Sequence, residues 1–230
     1  MIPKVIHYCW FGGKPLPKSA IKCINSWKKF FPDYEIKEWN ESNFDVNMIP
    51  YTKEAYAAKK YAFVSDFARF WILHECGGIY FDTDVEVIRP MDDIIAAGPF
   101  MAFEKQTSKK QLNHYIAPGL GIASCKHHPL WKLIIDSYSE YSSFDMNTGT
   151  VCNIVSNFFL SRGASMTGNK EIIENVHLYP ADYFCPQAMI GAPIELTENT
   201  RSIHHFDCTW LPWHVRFKTL VLQSFRKLLN

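Results

Sequence analysis

The chain has 230 residues, 47% of them hydrophobic, which is enough to bury one substantial core. Its 24 basic and 23 acidic side chains nearly cancel, so the net charge of +1 excludes a global field that would attract nucleic acid. The seven cysteines are scattered and form no C-x-x-C pair, which argues against a disulfide framework or a zinc ribbon.

The first part of the chain alternates between strand-like and helix-like segments. The predicted elements are a strand at 4–10, a helix at 19–30, a strand at 34–39, a helix at 53–76, a strand at 79–81 and an extended segment at 85–88. The helix at 53–76 contains no Gly or Pro and ends at Gly77-Gly78, so we predict that it is continuous and mostly buried.

Similar segments continue to the C-terminal part of the chain. The sequence predicts strands at 99–104, 115–124, 176–180 and 202–206, and helices at 128–138 and 150–163. Alternating strands and helices favour an α/β protein with a Rossmann-like, mostly parallel central sheet and helices on both faces. No repeat or linker divides the chain, so we expect one domain over residues 1–230.

Two acidic residues follow the strand predicted at 79–81. Asp82 and Asp84 flank Thr83, and in an extended segment residues two apart point to the same side. Their carboxylates would repel each other unless a cation bound between them, and hard oxygen ligands suit Mn²⁺ or Mg²⁺, which can hold a diphosphate. Ligands of open α/β sheets also collect beyond the carboxyl ends of strands. We therefore predict an active centre at Asp82-Thr83-Asp84.

A second pair of charges interrupts the predicted helix at 53–76. Asp66 and Arg69 are three residues apart, hence on one face of an otherwise apolar run. Such charges need partners. They could form a buried ion pair with each other, or they could reach the hydroxyls and phosphate of a bound donor, for which a bidentate Arg is well shaped.

The order of motifs resembles that of the DXD-containing glycosyltransferases. The matching stretches are IPKVIHYCWFGG, PDYEIKEWNE, YAFVSDFARFWILHECGGIYFDTDVEVIRPMDD and SIHHFDCTW. The family includes the yeast initiating α-mannosyltransferase and bacterial capsular and lipopolysaccharide sugar transferases, and the glucosyltransferase domains of large clostridial toxins are similar. The S-D-x-x-R…G-G-x-Y-x-D-x-D block is its specific part.

This resemblance implies a GT-A fold, a nucleotide-sugar donor, a divalent metal and transfer of a hexose with retention of configuration. It implies that Trp10 stacks on the base of the nucleotide. It places Asp66, Arg69 and Asp82 at the ribose and sugar of the donor. Asp84 would be the direct metal ligand.

The resemblance also assigns residues near the C-terminus. His204 or His205, together with Trp210, would close over the metal and diphosphate. Thr209 stands where the family more often has Ser. A structural zinc site formed by His204, His205, Cys208 and His214 is an alternative, although the spacing fits no common zinc pattern.

The tail at 213–230 is basic and amphipathic. It could rest on anionic lipid, where a lipid-linked acceptor would be found, or it could pack on the domain as a terminal helix. The N-terminal residues lack the apolar run of a signal peptide. We therefore expect a cytoplasmic protein, with possible peripheral contact at the inner face of the plasma membrane.

The predicted function is hexose transfer from a nucleotide-sugar to a saccharide or lipid-linked saccharide acceptor in polysaccharide, capsule or lipopolysaccharide synthesis. A UDP-sugar is the favoured donor and GDP-mannose is possible. Two alternatives remain open: a metal-dependent phosphatase of the haloacid-dehalogenase kind, because IYFDTDVE also resembles its DxD entry strand, and a catalytically silent sugar-binding module.

Overall fold

The structure, a computed structural model, describes residues 1–107, 114–140 and 150–207. A seven-stranded sheet forms its centre. From one edge to the other its strands are β2 (Glu35–Trp39), β1 (Val5–Cys9), β3 (Gly78–Tyr80), β6 (Ile122–Ser124), β5 (Phe100–Ala102), β8 (Val176–Tyr179) and β7 (Glu171–Ile173). Five of them run in one direction, while β6 and β7 run against the others. The predicted mostly parallel α/β sheet is therefore confirmed.

Helices cover both faces of this sheet. They are α1 (Lys18–Phe30), α2 (Pro50–Ala57), α3 (Tyr61–Cys76), α4 (Asp92–Ala97), α5 (Pro129–Ser137), α6 (Val151–Leu160) and α7 (Ala181–Phe184). Because side chains alternate along a strand, Ile79 and Tyr80 of β3 enter two different apolar clusters. One cluster contains the buried residues of α3 and α5, and the other contains those of α1 and α4.

The predicted helix at 53–76 is in fact two helices, α2 and α3. Lys59 adopts a left-handed φ of 58°, the N–H of Lys60 donates to Ala55 O, and the N–H of Lys59 donates to Tyr56 O. This is a Schellman ending without its usual glycine. Neither Gly nor Pro marks the break, so no local pattern predicts it.

The end of α3 and the start of β3 were predicted from Gly77-Gly78, and both glycines are required. Gly77 has a φ of 66°, and a Cβ there would lie 2.7 Å from the backbone N of Lys126. At Gly78 a Cβ would lie 2.6 Å from Val5 O. The two glycines therefore let the chain turn from α3 directly into the centre of the sheet.

Several short elements differ from the prediction. Residues 115–124 are not one strand, because Pro118–Leu120 form a 3₁₀ turn before β6 begins. Helices α4 and α7 and the edge strand β7 were not predicted, since each has six residues or fewer. Among the helices in the described part of the chain, none is long and apolar enough to cross a membrane.

A second, two-stranded sheet stands beside the first. It pairs β4 (Val85–Val87) with β9 (Ser202–His204) in antiparallel fashion, and Val85 lies opposite His204. Strands β1, β3 and β5 of the large sheet share one direction, so their carboxyl ends meet at one edge. The small sheet therefore brings His204 to the edge at which Asp82 and Asp84 lie.

Candidate active site

Asp82, Thr83 and Asp84 lie in a tight turn between β3 and β4. The N–H of Val85 donates to Asp82 O at 3.1 Å, as in a β-turn. The prediction that this tripeptide is extended was therefore wrong, because the chain must reverse here to leave the large sheet for the small one. The turn nevertheless keeps the two carboxylates close together.

His204 joins the two acids. One ligand atom from each of Asp82, Asp84 and His204 lies within 4.8 Å of the others. His204 Nε2 lies 3.2 Å from Asp84 Oδ1, and the N–H of Asp207 donates to Asp84 Oδ2 at 2.9 Å. Burial opposes ionisation of Asp84, but these partners outweigh it and lower the pKa of that carboxyl to about 2. Asp84 is therefore held as a carboxylate.

His205 points elsewhere. Its Nε2 lies 2.8 Å from Glu86 Oε2, and Glu86 also accepts a hydrogen bond from Lys22. Consecutive residues at the end of a strand face opposite sides, so only one of the two histidines can reach the acids. Of the two alternatives, His204 is therefore the one that lies beside the acids, and His205 is not. Trp210, Cys208 and His214 lie outside the described residues.

Asp66 and Arg69 form part of the same cluster. Arg69 Nη2 lies 2.7 Å from Asp66 Oδ1 and 3.3 Å from Asp82 Oδ1, and only 4% of the Arg69 side chain is exposed. Burial raises the pKa of Asp66 to about 7, Arg69 opposes this shift, and Asp82 adds to it. The reading of the pair as a buried ion pair is thus confirmed, and Arg69 also contacts the turn. Its contact with a donor stays a prediction.

Tyr80 and Gly119 support Asp82. Tyr80 belongs to the G-G-x-Y-x-D-x-D block but had no predicted role, and Gly119 was not predicted as a site residue. The Tyr80 hydroxyl donates to Asp82 Oδ1 at 3.1 Å, and the Arg69 guanidinium lies over the Tyr80 ring. The N–H of Asp82 donates to Gly119 O. A Cβ at Gly119 would overlap Asp82 Oδ2 outright, so the 3₁₀ turn at 118–120 has room for this carboxylate only because residue 119 is glycine.

Trp10 lies at the same edge of the sheet, directly after β1. Its N–H donates to Trp39 O, and its Nε1 donates to Lys14 O. The following turn is held by Glu41, which accepts hydrogen bonds from the N–H of Gly12 and from the Tyr56 hydroxyl. The structure thus places a half-buried indole near the turn, in a loop fixed from two sides.

Glu104 is a further carboxylate at this edge that the sequence analysis did not single out. It follows β5, and its N–H donates to Tyr115 O at 2.8 Å. Its side chain is half-buried, and no hydrogen bond to its carboxylate occurs among the described residues. Burial raises the pKa of the Glu104 carboxyl, and the His204 imidazole opposes the shift. Its position after a short strand could have indicated it.

The cluster of Asp82, Asp84 and His204 fits a divalent cation. Carboxylate oxygens are hard ligands that suit Mn²⁺ and Mg²⁺, and imidazole is also accepted by first-row transition metals. His204 Nδ1 is buried and lacks a hydrogen-bond partner within the described ranges, so this imidazole is not fully used by the protein. The donor set is therefore compatible with the predicted metal.

Sequence comparisons relate this chain to glycosyltransferases. Residues 17–101 match the family described as the glycosyltransferase sugar-binding region containing a DXD motif. Inositol phosphoceramide mannosyltransferase 3 of Schizosaccharomyces pombe is 26% identical over 61% of this chain and 38% of its own length. The uncharacterized glycosyltransferase L373 of Acanthamoeba polyphaga mimivirus is 29% identical over 65% of this chain and 62% of its own length. The chain thus spans less than two thirds of either relative.

Solved structures show the same fold. A glycosyltransferase involved in glycosylation of the major capsid of PBCV-1 aligns with a TM-score of 0.53 and 13% identity, covering 96% of this chain and all of the other. PaToxG glycosyltransferase gives a TM-score of 0.53 and 20% identity, covering 70% and 69% of the two chains. The fold is of the GT-A type. These comparisons confirm the resemblance to the DXD-containing glycosyltransferases, and residues 17–101 are the part of this chain that matches their sugar-binding region.

Proposed function

We propose that this chain transfers a hexose from a nucleotide-sugar to a saccharide or lipid-linked saccharide acceptor, with a divalent cation bound by Asp82, Asp84 and His204. The observation that carries the proposal is the convergence of these three side chains beside Arg69. Residues distant in sequence meet at the edge where α/β proteins bind ligands. Both acids and Arg69 fall inside the matched sugar-binding region.

A cation held there would neutralise charge on the diphosphate leaving group as the bond to the sugar breaks. Arg69 contributes a fixed positive charge. Its Nε and Nη2 are occupied by Ser65 O and Asp66, so its plane is oriented before a donor arrives. Within the described residues Nη1 donates no hydrogen bond, which leaves it available for a phosphate or hydroxyl oxygen.

Transfer with retention follows from the family resemblance and requires a place for the proton of the acceptor hydroxyl. Front-face attack would let the leaving phosphate take that proton. Glu104 is the carboxylate that the structure adds to this picture, because it lies after β5 at the same edge and accepts no hydrogen bond from the residues that the structure describes. We propose that Glu104 faces the acceptor and accepts a hydrogen bond from its hydroxyl, which orients that hydroxyl while the leaving phosphate takes the proton.

The names of the relatives guide the choice of substrates. The fungal relatives are named inositol phosphoceramide mannosyltransferase or mannosyl phosphorylinositol ceramide synthase. The sequence favours a UDP-sugar as the donor, and the mannosyl group in these names supports GDP-mannose as the other candidate. They also support a lipid-linked acceptor, in agreement with the expectation of peripheral membrane contact through residues 213–230.

The test is hydrolysis of a panel of UDP- and GDP-sugars with and without Mn²⁺. We expect one donor to be cleaved in a Mn²⁺-dependent manner, and Asp84→Asn to reduce this rate by about 10³-fold or more, because the site loses a charged ligand. Asp33→Asn is the matched control, since the Asp33 carboxylate is exposed and its ion pair with Lys4 is a loose one of 3.8 Å. Near-normal hydrolysis by Asp84→Asn would refute the assignment.

The two alternatives give different results in the same experiments. A phosphatase would cleave a generic aryl phosphate, whereas the family match and the fold of the solved relatives favour glycosyl transfer. A silent sugar-binding module would bind the donor without hydrolysing it. Mn²⁺-dependent hydrolysis that Asp84→Asn removes would exclude both.

A further inference from the structure

A second group of metal-ligating side chains lies at the opposite edge of the large sheet, where β3 begins. His74 and Glu75 are in the last turn of α3, and His127 follows β6 by three residues. Because β6 runs against β3, Ser124 pairs with Gly78 at the start of β3, while Asp82 lies beyond its end. The group is therefore separated from the site of Asp82 and Asp84 by the length of β3.

The three side chains are close enough to share an ion. One ligand atom from each of His74, Glu75 and His127 lies within 4.8 Å of the others. His74 Nε2 is 4.0 Å from Glu75 Oε1, and the rings of the two histidines meet edge to face with centroids 5.2 Å apart. Atoms that share a zinc ion at about 2.0–2.1 Å lie about 3.3 Å apart. Small rotations of Glu75 and the exposed His127 would bring them to that spacing.

The backbone holds His127 over His74. His127 has a left-handed φ of 58°, which is uncommon for a residue other than glycine, and its N–H donates to His74 O at 2.8 Å. His74 itself is not satisfied by the protein. Its Nδ1 is buried and has no hydrogen-bond partner in the part of the chain that the structure describes. A buried imidazole with an unused nitrogen usually has a further partner.

We propose that His74, Glu75 and His127 bind a divalent transition-metal ion such as Zn²⁺ or Co²⁺. Two imidazoles and one carboxylate are the ligands of known zinc sites, with solvent in the fourth position. The same set suits Mg²⁺ poorly, because Mg²⁺ prefers oxygen ligands. This site differs in chemistry from the cluster of Asp82, Asp84 and His204, where two of three ligands are carboxylates. In this proposal His127, which lies between β6 and α5, supplies one of the ligands.

The experiment measures Zn²⁺ affinity by competition with a chromophoric chelator, using Asp84→Asn to remove the other site. We expect this variant to bind one Zn²⁺, and Asp84→Asn/His127→Ala to bind it at least about tenfold more weakly. Lys126→Ala in the same background is the matched control, because Lys126 is the exposed neighbour of His127 and supplies no ligand for this ion.

A parallel measurement guards against misfolding of the Asp84 variant. In the otherwise wild-type chain with excess Mn²⁺ present, the visible absorption of added Co²⁺ should appear, and His127→Ala should remove it. The proposal is overturned if His127→Ala leaves Zn²⁺ affinity and the Co²⁺ spectrum unchanged, or if neither ion binds with a dissociation constant below about 1 mM. Because this site is at the opposite edge, either result leaves the proposed transferase activity untouched.

Discussion

The two edges of the central sheet place similar side chains in contrasting environments. At the carboxyl edge, Asp82 and Asp84 are surrounded by Arg69, Tyr80 and a backbone N–H, so each carboxylate is held in a fixed direction. At the opposite edge, the buried Nδ1 of His74 has no hydrogen-bond partner among the described residues, and His127 is exposed. The side chains at the carboxyl edge are therefore held in position before any ligand binds, whereas those at the opposite edge are not. Organised charge is what catalysis requires, whereas a peripheral ion site can close around its ion.

The largest expected effect tests whether charge organisation at the carboxyl edge also stabilises the fold. Arg69→Met would leave Asp66 and Asp82 as neighbouring acids without their shared cation, which we expect to cost about 3–5 kcal/mol of unfolding free energy. Urea denaturation measures it. Lys132→Met breaks an exposed pair with Asp136 and should cost less than about 0.5 kcal/mol. Equal losses of unfolding free energy in the two variants would contradict the view that the buried Arg69 holds the two acids in place.

The second prediction concerns His7, whose two ring nitrogens both form hydrogen bonds within the protein, in contrast to His74. In His7, Nε2 bonds Gly77 O and Nδ1 accepts from Trp39 Nε1, and burial lowers its pKa to about 4, with Gly77 opposing the shift. The folded pKa lies below the usual 6.5, so this contribution to stability is complete above pH 6.5 and is lost as the pH falls toward 4. The loss is about 3 kcal/mol.

His7→Gln removes this titration. We expect the variant to be less stable than wild type at pH 7.5. Between pH 6.5 and 4 its unfolding free energy should fall less steeply than that of wild type, because unfolding of the variant takes up about one proton fewer. Denaturant midpoints measured across this range provide the check. Identical slopes for both proteins would show that His7 does not titrate on unfolding.

The third prediction concerns the geometry of Asp82. Gly119→Ala should lower donor hydrolysis by about 10²-fold, because the new Cβ must displace the carboxylate from its position. Gly163→Ala is the opposite control: Gly163 has a φ of 88° and open space around it, so this change should cost stability without affecting activity. Full activity in Gly119→Ala would mean that the position of Asp82 is not critical.

The smallest expected effect tests Glu104 on the acceptor side. Glu104→Gln should reduce transfer about tenfold while leaving donor affinity unchanged, since the leaving phosphate would still accept the proton and only the orientation of the acceptor hydroxyl would be weakened. Glu195→Gln is the control, because it changes an exposed acid that pairs only with Lys105 among the described residues. A loss of donor binding in Glu104→Gln would move this residue to the donor side.

The same contrast between the edges explains what could be predicted from sequence. Asp66, Arg69, Asp82 and Asp84 lie within one short stretch, so their spacing and the Gly77-Gly78 stop located the carboxyl edge. The choice between His204 and His205 depended on the register of β9 against β4, which no local pattern encodes. That register is a tertiary property.

The remaining misses have the same cause. Gly119 is required only because its turn packs against Asp82, and it appeared in sequence as part of a predicted strand. The approach of His127 to His74 depends on the antiparallel pairing of β6 with β3. The break between α2 and α3 occurs at Lys59, which adopts a left-handed φ although it is not a glycine. Each depends on contacts between distant segments.

The most direct test of the proposed catalytic site is a measurement of Mn²⁺ binding in the presence of UDP or GDP. Electron paramagnetic resonance reports binding as a loss of the signal of free Mn²⁺. Asp84→Asn should abolish saturable binding, and His127→Ala should leave it unchanged. If Asp84→Asn bound Mn²⁺ with wild-type affinity, the cation would not be held by Asp82, Asp84 and His204, and the proposed catalytic site would be wrong.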